Sequence, residues 1–75
     1  MVFEYIAKYI AEHFDMDIED ISKETTFEQL RAESEDIIDM YFEMSRVFDF
    51  MPDEDGLYGI EDVGALVDLI ESERN

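Results

Sequence analysis

The chain has 75 residues, of which 22 are Asp or Glu and 5 Lys or Arg, a formal charge of −17, with 47% of positions apolar. That length predicts a single domain over residues 1–75, and the absence of cysteine excludes both a disulfide framework and a thiolate zinc site. No run approaches the roughly 18 apolar residues of a membrane span, and Glu4, Lys8 and Glu12 interrupt the first apolar pattern in a way foreign to signal peptides. A soluble, cytoplasmic monomer without membrane insertion is expected.

Phe3, Ile6, Ile10 and Phe14 recur at helical spacing and predict a first helix over about residues 2–14. Asp17 then offers a cap, and Ile18 and Ile21 two anchors, for a short helical turn. Residues 22–26 read as loop, and Phe27 and Leu30 anchor a connection running to Glu33. Unpacked connections of this length are uncommon in small domains, so it is expected to lie against the bundle.

A second helix is predicted from Glu35, with Ser34 at its cap position and Glu35 and Asp36 set against the positive end of the helix dipole. Ile38, Tyr41, Phe42, Val47 and Phe48, with Ile37, Met40 and Met44 between them, make its apolar face, broken by Asp36, Asp39 and Glu43. The helix stops before Pro52, whose ring disfavours helical geometry in Met51. Asp53 to Gly59 predicts a single turn, capped by the aspartate and closed by the glycine. A last helix over about residues 61–73 carries Val63, Leu66, Val67 and Ile70 on one side, with Gly64 weakening its first turn. No segment alternates with the period of a strand. The fold class is therefore all-α, a small bundle of three main helices plus one or two short ones.

The charge repels nucleic acid and anionic lipid and selects basic surfaces on partner proteins. It also opposes compaction, so salt or millimolar magnesium is expected to stabilise the fold. The lone His13 is explained by its place at a helix carboxyl end, and no nucleophile with a base beside it is readable, so no catalytic residue is assigned. Carboxylate pairs carry no information where acids are so abundant. An EF-hand loop begun at Asp15 puts Asp20 at the required glycine and Thr26 at the bidentate glutamate. Placing Gly56 at the loop glycine instead leaves Met51 in the first ligand position. No metal site is assigned. Ser34 remains: the geometry that suits a helix cap also suits a phosphate ester, since free amides and the dipole point at whatever the hydroxyl carries. Glu33, Glu35 and Asp36 surround it with negative charge, so a transferring enzyme must bring cations.

These residues give the sequence its resemblance to the acyl carrier proteins. Leu30-Arg31-Ala32-Glu33-Ser34-Glu35-Asp36 resembles the family's Leu-Gly-Ala-Asp-Ser-Leu-Asp run, and Phe48 followed by Met51-Pro52-Asp53-Glu54 resembles its Phe and Ile-Pro-Asp-Glu. Residues 18–30 look like the family's first loop, and Ile60-Glu61-Asp62-Val63 with Leu69-Ile70 like its final helix. The resemblance implies that Ser34 is the attachment point of 4′-phosphopantetheine, installed from coenzyme A by a basic, magnesium-dependent transferase. The arm's thiol then holds acyl groups as thioesters in fatty-acid, polyketide or related biosynthesis. The chain itself is then a carrier and not an enzyme. The resemblance further implies that the second helix docks onto basic transferase and synthase surfaces. Glu33, Glu35, Asp36, Asp39, Phe42 and Glu43 are assigned to that contact.

The departures are Glu33 for Asp, Glu35 for an apolar contact residue, Arg31 for glycine, and Ser45-Arg46 where glutamates are usual. They point to a dedicated partner set, since altered charge excludes wrong enzymes. Tyr41, Phe42, Phe48 and Phe50 near the interior predict short or polar cargo, although Met40, Met44 and Met51 repack easily. The alternative is an unmodified, acidic carrier-fold protein that binds a basic partner. A third reading, imitation of nucleic-acid phosphates, would show as competition with DNA for a basic protein.

Overall fold

Val2, Ile6, Ala7 and Ile10 are buried along one stripe of α1, Val2–His13, the spacing that puts four side chains on a single helical face. The helix ends one residue before the predicted boundary, where the Phe14 amide donates to the Ile10 carbonyl at 2.8 Å and Asp15 turns the chain with φ 55°. This is a computed structural model, and it describes residues 1–74.

The short turn forms over Ile18–Asp20 as a 3₁₀ helix. Asp17 occupies its cap position without a side-chain cap bond, and of the two isoleucines only Ile21 is buried, Ile18 being half exposed. The connection that follows lies against the bundle through Phe27 and Leu30, both buried. Its backbone is tied to the entrance of the last helix. Phe27 N–H donates to the Glu61 carbonyl at 3.0 Å, Val63 N–H to Thr25 at 2.9 Å and Gly64 N–H to Lys23 at 2.8 Å. Thr26 and Asp62 make an isolated antiparallel bridge within this contact, and there is no strand among the described residues. A Cβ at Gly64 would stand 3.1 Å from the Lys23 carbonyl oxygen. That glycine thus permits a close backbone approach, a role its cost in helix propensity did not disclose.

α2 covers Ser34–Phe48 and buries Met40, Tyr41, Met44 and Ser45. The predicted face is corrected here: Phe42 and Val47 are exposed. Ile37, Met40, Tyr41, Met44 and Phe48 fall on the i, i+3, i+4, i+7 stripe that meets the core, and residues 42 and 47 lie off it. Asp49, with φ 56°, closes the helix.

The turn after Pro52 forms over Glu54–Leu57, where the Asp53 carboxylate accepts from the Asp55 amide at 3.1 Å and Gly59 follows with φ 81°. α3 is Val63–Glu73, and all four residues assigned to its inner side, Val63, Leu66, Val67 and Ile70, are buried. It starts two residues after the predicted boundary because Glu61 accepts from the connection and Asp62 caps the helix, its Oδ1 accepting from Ala65 N–H at 2.8 Å.

The stripes of α1, α2 and α3 meet in one core, closed by Ile21, Phe27 and Leu30 from the connections. The fully buried Tyr41 carries the polar junction of that core. Its hydroxyl donates to the Glu73 carboxylate and accepts from the Asp53 amide at 2.8 Å, joining α2, the turn after Pro52 and the end of α3. Among the described residues no helix is long and apolar enough to cross a membrane.

Candidate functional site

Ser34 is the first residue of α2, and the cap is Glu33. This corrects the expectation that Ser34 itself caps the helix. Glu33 is extended (φ −90°, ψ 167°), and the Asp36 carboxylate reaches back to accept from its amide at 2.9 Å. A glutamate followed three residues later by an aspartate thus does the reciprocal work of a capping box. Ser34 is left exposed, and among the described residues nothing hydrogen-bonds its hydroxyl. Its oxygen stands free at the positive end of a helix of 15 residues.

Before the helix, Arg31 has φ 57°, inside the left-handed region that favours glycine. Two hydrogen bonds hold the bend: Arg31 N–H to the Glu28 carbonyl at 3.0 Å and Ala32 N–H to the Phe27 carbonyl at 3.0 Å. The bend aims the chain from the buried Phe27 and Leu30 out to the exposed Glu33 and Ser34.

Beside Ser34 opens a cleft of about 510 Å³, walled by Ile37 and Ile38 of α2 and by Glu54, Asp55, Leu57, Tyr58 and Ile60 of the opposite segment. That volume lies within the range of small-molecule sites, about 300–1,000 Å³. None of Tyr41, Phe42, Phe48 and Phe50 lines it. Tyr41 is in the core with Phe50 beside it, ring centroids 5.7 Å apart; Phe48 packs edge-on against Tyr5 at 5.2 Å; and Phe42 is on the surface. The aromatic bulk invoked against long cargo is therefore elsewhere. Leu57, Tyr58 and Ile60 were not foreseen as walls, and their only signal was apolar residues in a segment too short to bury them as a helix.

The other assigned residues separate into two groups. Glu33, Ser34, Glu35 and Asp36 stand together at the start of α2, and Glu35, Asp39 and Phe42 follow one another at i, i+4 and i+7 along one side. Glu43 does not share that side freely. It is paired with Arg46 and borders a shallow groove shared with Tyr5, Lys8, Tyr9 and Glu12 of α1. His13 has the structural explanation expected of it: its Nδ1–H donates to the Tyr9 carbonyl at 2.9 Å and its ring stacks on that of Tyr9 at 3.8 Å. Burial pushes the Tyr41 hydroxyl up to about 12, helped by its bond to the Glu73 carboxylate.

No family model matches the chain. A curated protein of Streptococcus thermophilus named Acyl carrier protein is 35% identical to it over 68 residues, which span 89% of this chain and 92% of that protein. A protein of the same name from Streptococcus pyogenes serotype M1 is 34% identical over the same shares of both. The chain belongs to the acyl carrier protein family. The all-helical bundle, with its long connection between α1 and α2 and its short turn before α3, is the fold that the resemblance implied for a family member. Within that acyl carrier frame, this chain sets Glu35 on the exposed side of α2 and neutralises Glu43 with Arg46.

Proposed function

We propose that the protein is an acyl carrier of fatty-acid, polyketide or related biosynthesis, in which the Ser34 hydroxyl bears 4′-phosphopantetheine and the chain has no catalytic role of its own. The observation that carries this reading is the free, exposed hydroxyl at the first residue of α2, released from capping by Glu33 and Asp36 and bordering a cleft with aliphatic walls. Ser34 would hold the arm's phosphate at the amino end of α2, where backbone amides and the dipole favour an anion. The arm supplies the thiol that forms thioesters, a group this chain lacks because it has no cysteine. The cleft beside the attachment point shields whatever part of the cargo folds back.

Glu33, Glu35 and Asp36 oppose a second anion at this place, so the transferase has to supply magnesium or basic side chains. Glu35, Asp39 and Phe42 form the contact stripe offered to partner enzymes, acidic at one end and apolar at the other. Glu43, already paired with Arg46, adds little to it. This pattern suits a dedicated partner set in the cytoplasm, one whose docking surface is basic opposite Glu35 and accepts an aromatic ring further along.

Incubation with coenzyme A and a broad-specificity phosphopantetheinyl transferase, followed by intact mass measurement, tests the reading. A gain of about 340 Da is expected from the composition of the arm, and it should vanish in Ser34→Ala. An unchanged mass would leave the alternative, an acidic carrier-fold protein acting by binding alone, which the Glu35 charge and the Glu43–Arg46 pair favour.

A further inference from the structure

The cleft beside Ser34 has a mixed lining with a definite sign. Ile37, Ile38, Leu57 and Ile60 give it aliphatic walls, Glu54 and Asp55 stand on the side opposite α2, and no Lys, Arg or His lines it. The two carboxylates are not neutralised by neighbours. Among the described residues no cation pairs with either, and the hydrogen bond at Asp55 engages its amide, not its side chain. Around them is a chain of formal charge −17. Hydrocarbon entering this space loses contact with water against aliphatic side chains, while a charged end group meets a negative potential reinforced by low-dielectric walls.

We infer that the cleft sorts acyl cargo by charge, admitting an aliphatic chain that ends in an ammonium group in preference to one of equal length that ends in a carboxylate. The inference rests on Ser34 as the attachment point and adds a substrate class to it, that of amine-bearing acyl groups. For the carboxylate-ended chain the apolar gain is opposed by repulsion from Glu54 and Asp55, and the cargo stays in solvent, open to partner enzymes. The ammonium-ended chain gains on both counts. At the separations possible within such a cleft, with partial solvent screening, the in-to-out equilibria of the two cargoes should differ by about fivefold at low salt, falling to about twofold near 0.5 M.

The test uses the whole chain and does not depend on a transferase. The absence of cysteine lets Ser34→Cys be alkylated at one place, with haloacetyl-pantetheine derivatives bearing valeryl, aminovaleryl or glutaryl groups in amide linkage, so that the amine cannot displace its own acyl bond. Methyl resonances of Ile37, Ile38, Leu57 and Ile60 report occupancy. Aminovaleryl should shift them at least as far as valeryl does, and glutaryl markedly less. In the double variant Glu54→Gln, Asp55→Asn the difference between aminovaleryl and glutaryl should close. Equal shifts from both cargoes in the parent, or a difference that survives the double variant, overturns the inference. Failure of the wild-type serine to gain mass would instead strike at the carrier reading, so the two results are told apart.

Discussion

Arg31 holds a left-handed backbone with a side chain that has a Cβ, at φ 57°, and the bend is fixed by two backbone hydrogen bonds. A non-glycine residue there costs about 1 kcal/mol. Arg31→Gly should therefore raise stability by roughly that amount, a thermal midpoint about 5 °C higher for a domain of this size. Tyr41 makes the opposite case, a residue whose full hydrogen-bonding is in use. Its folded-state value of about 12 lies above the ordinary tyrosine value near 10, so the folded state keeps a proton that the unfolded state releases. The stabilisation is fully present below about pH 10 and is lost as pH climbs toward 12, a decline on the order of 2 kcal/mol. Urea unfolding followed across that range should show the decline in the parent. Tyr41→Phe should lack it and be weaker at neutral pH by about 1–2 kcal/mol, since the Asp53 amide and the Glu73 carboxylate lose their partner. The sequence made Tyr41 legible as core but could not disclose its hydroxyl's partners, which lie 12 and 32 residues away.

At the level of elements, α2 turns on which of two neighbours caps it. Glu33-Ser34-Glu35-Asp36 allows either Ser34 or Glu33 to stand at the cap, and the reciprocal bonding of Glu33 with Asp36 settles it on Glu33. Asp36→Ala should thus lower stability by about 1 kcal/mol by removing the acceptor of the Glu33 amide, read as a lower urea midpoint with an unchanged slope. Ser34→Ala should leave that midpoint within about 0.5 kcal/mol of the parent, because no cap bond is lost. The spans of all three helices were readable to within two residues from apolar spacing and from Pro52 beyond the end of α2, although the Asp62 cap that sets the start of α3 was not foreseen. The inner face of α2 was not. Ile37, Ile38, Met40, Tyr41, Phe42, Met44, Val47 and Phe48 cover too much of the circumference to choose a side, and packing against α1 and α3 made the choice. The cleft was equally hidden, because its far wall is a 3₁₀ turn whose position depends on a tertiary hydrogen bond.

For the whole molecule, the decisive quantity is a charge of −17 distributed over 75 residues. Among the described residues the ion pairs at Met1–Glu4, across the cap of α1, and Glu43–Arg46, within α2, join residues three apart and are exposed, so they tie no two elements together. Repulsion is thus answered mainly by solvent ions. Raising ionic strength from about 0.02 to 0.3 M shortens the screening length severalfold, and the thermal midpoint should rise by about 5 °C or more; magnesium at a few millimolar should match it at much lower ionic strength. A midpoint indifferent to both would mean that packing alone sets the stability. Composition made this property visible at once, since net charge needs no fold to be counted. The candidate Ser34 was legible through its neighbours in sequence, whereas the cleft beside it depended on Glu54 and Asp55 coming to face Ile37 and Ile38 across a gap.

The Tyr41 junction has a practical corollary for anyone handling the protein. Because Glu73 and Asp53 meet on one phenol, the far wall of the cleft is moored to the last turn of α3. A substitution that frays that last turn, such as Glu73→Ala, would slacken the wall from a distance, whereas one at the start of α1 leaves the mooring untouched.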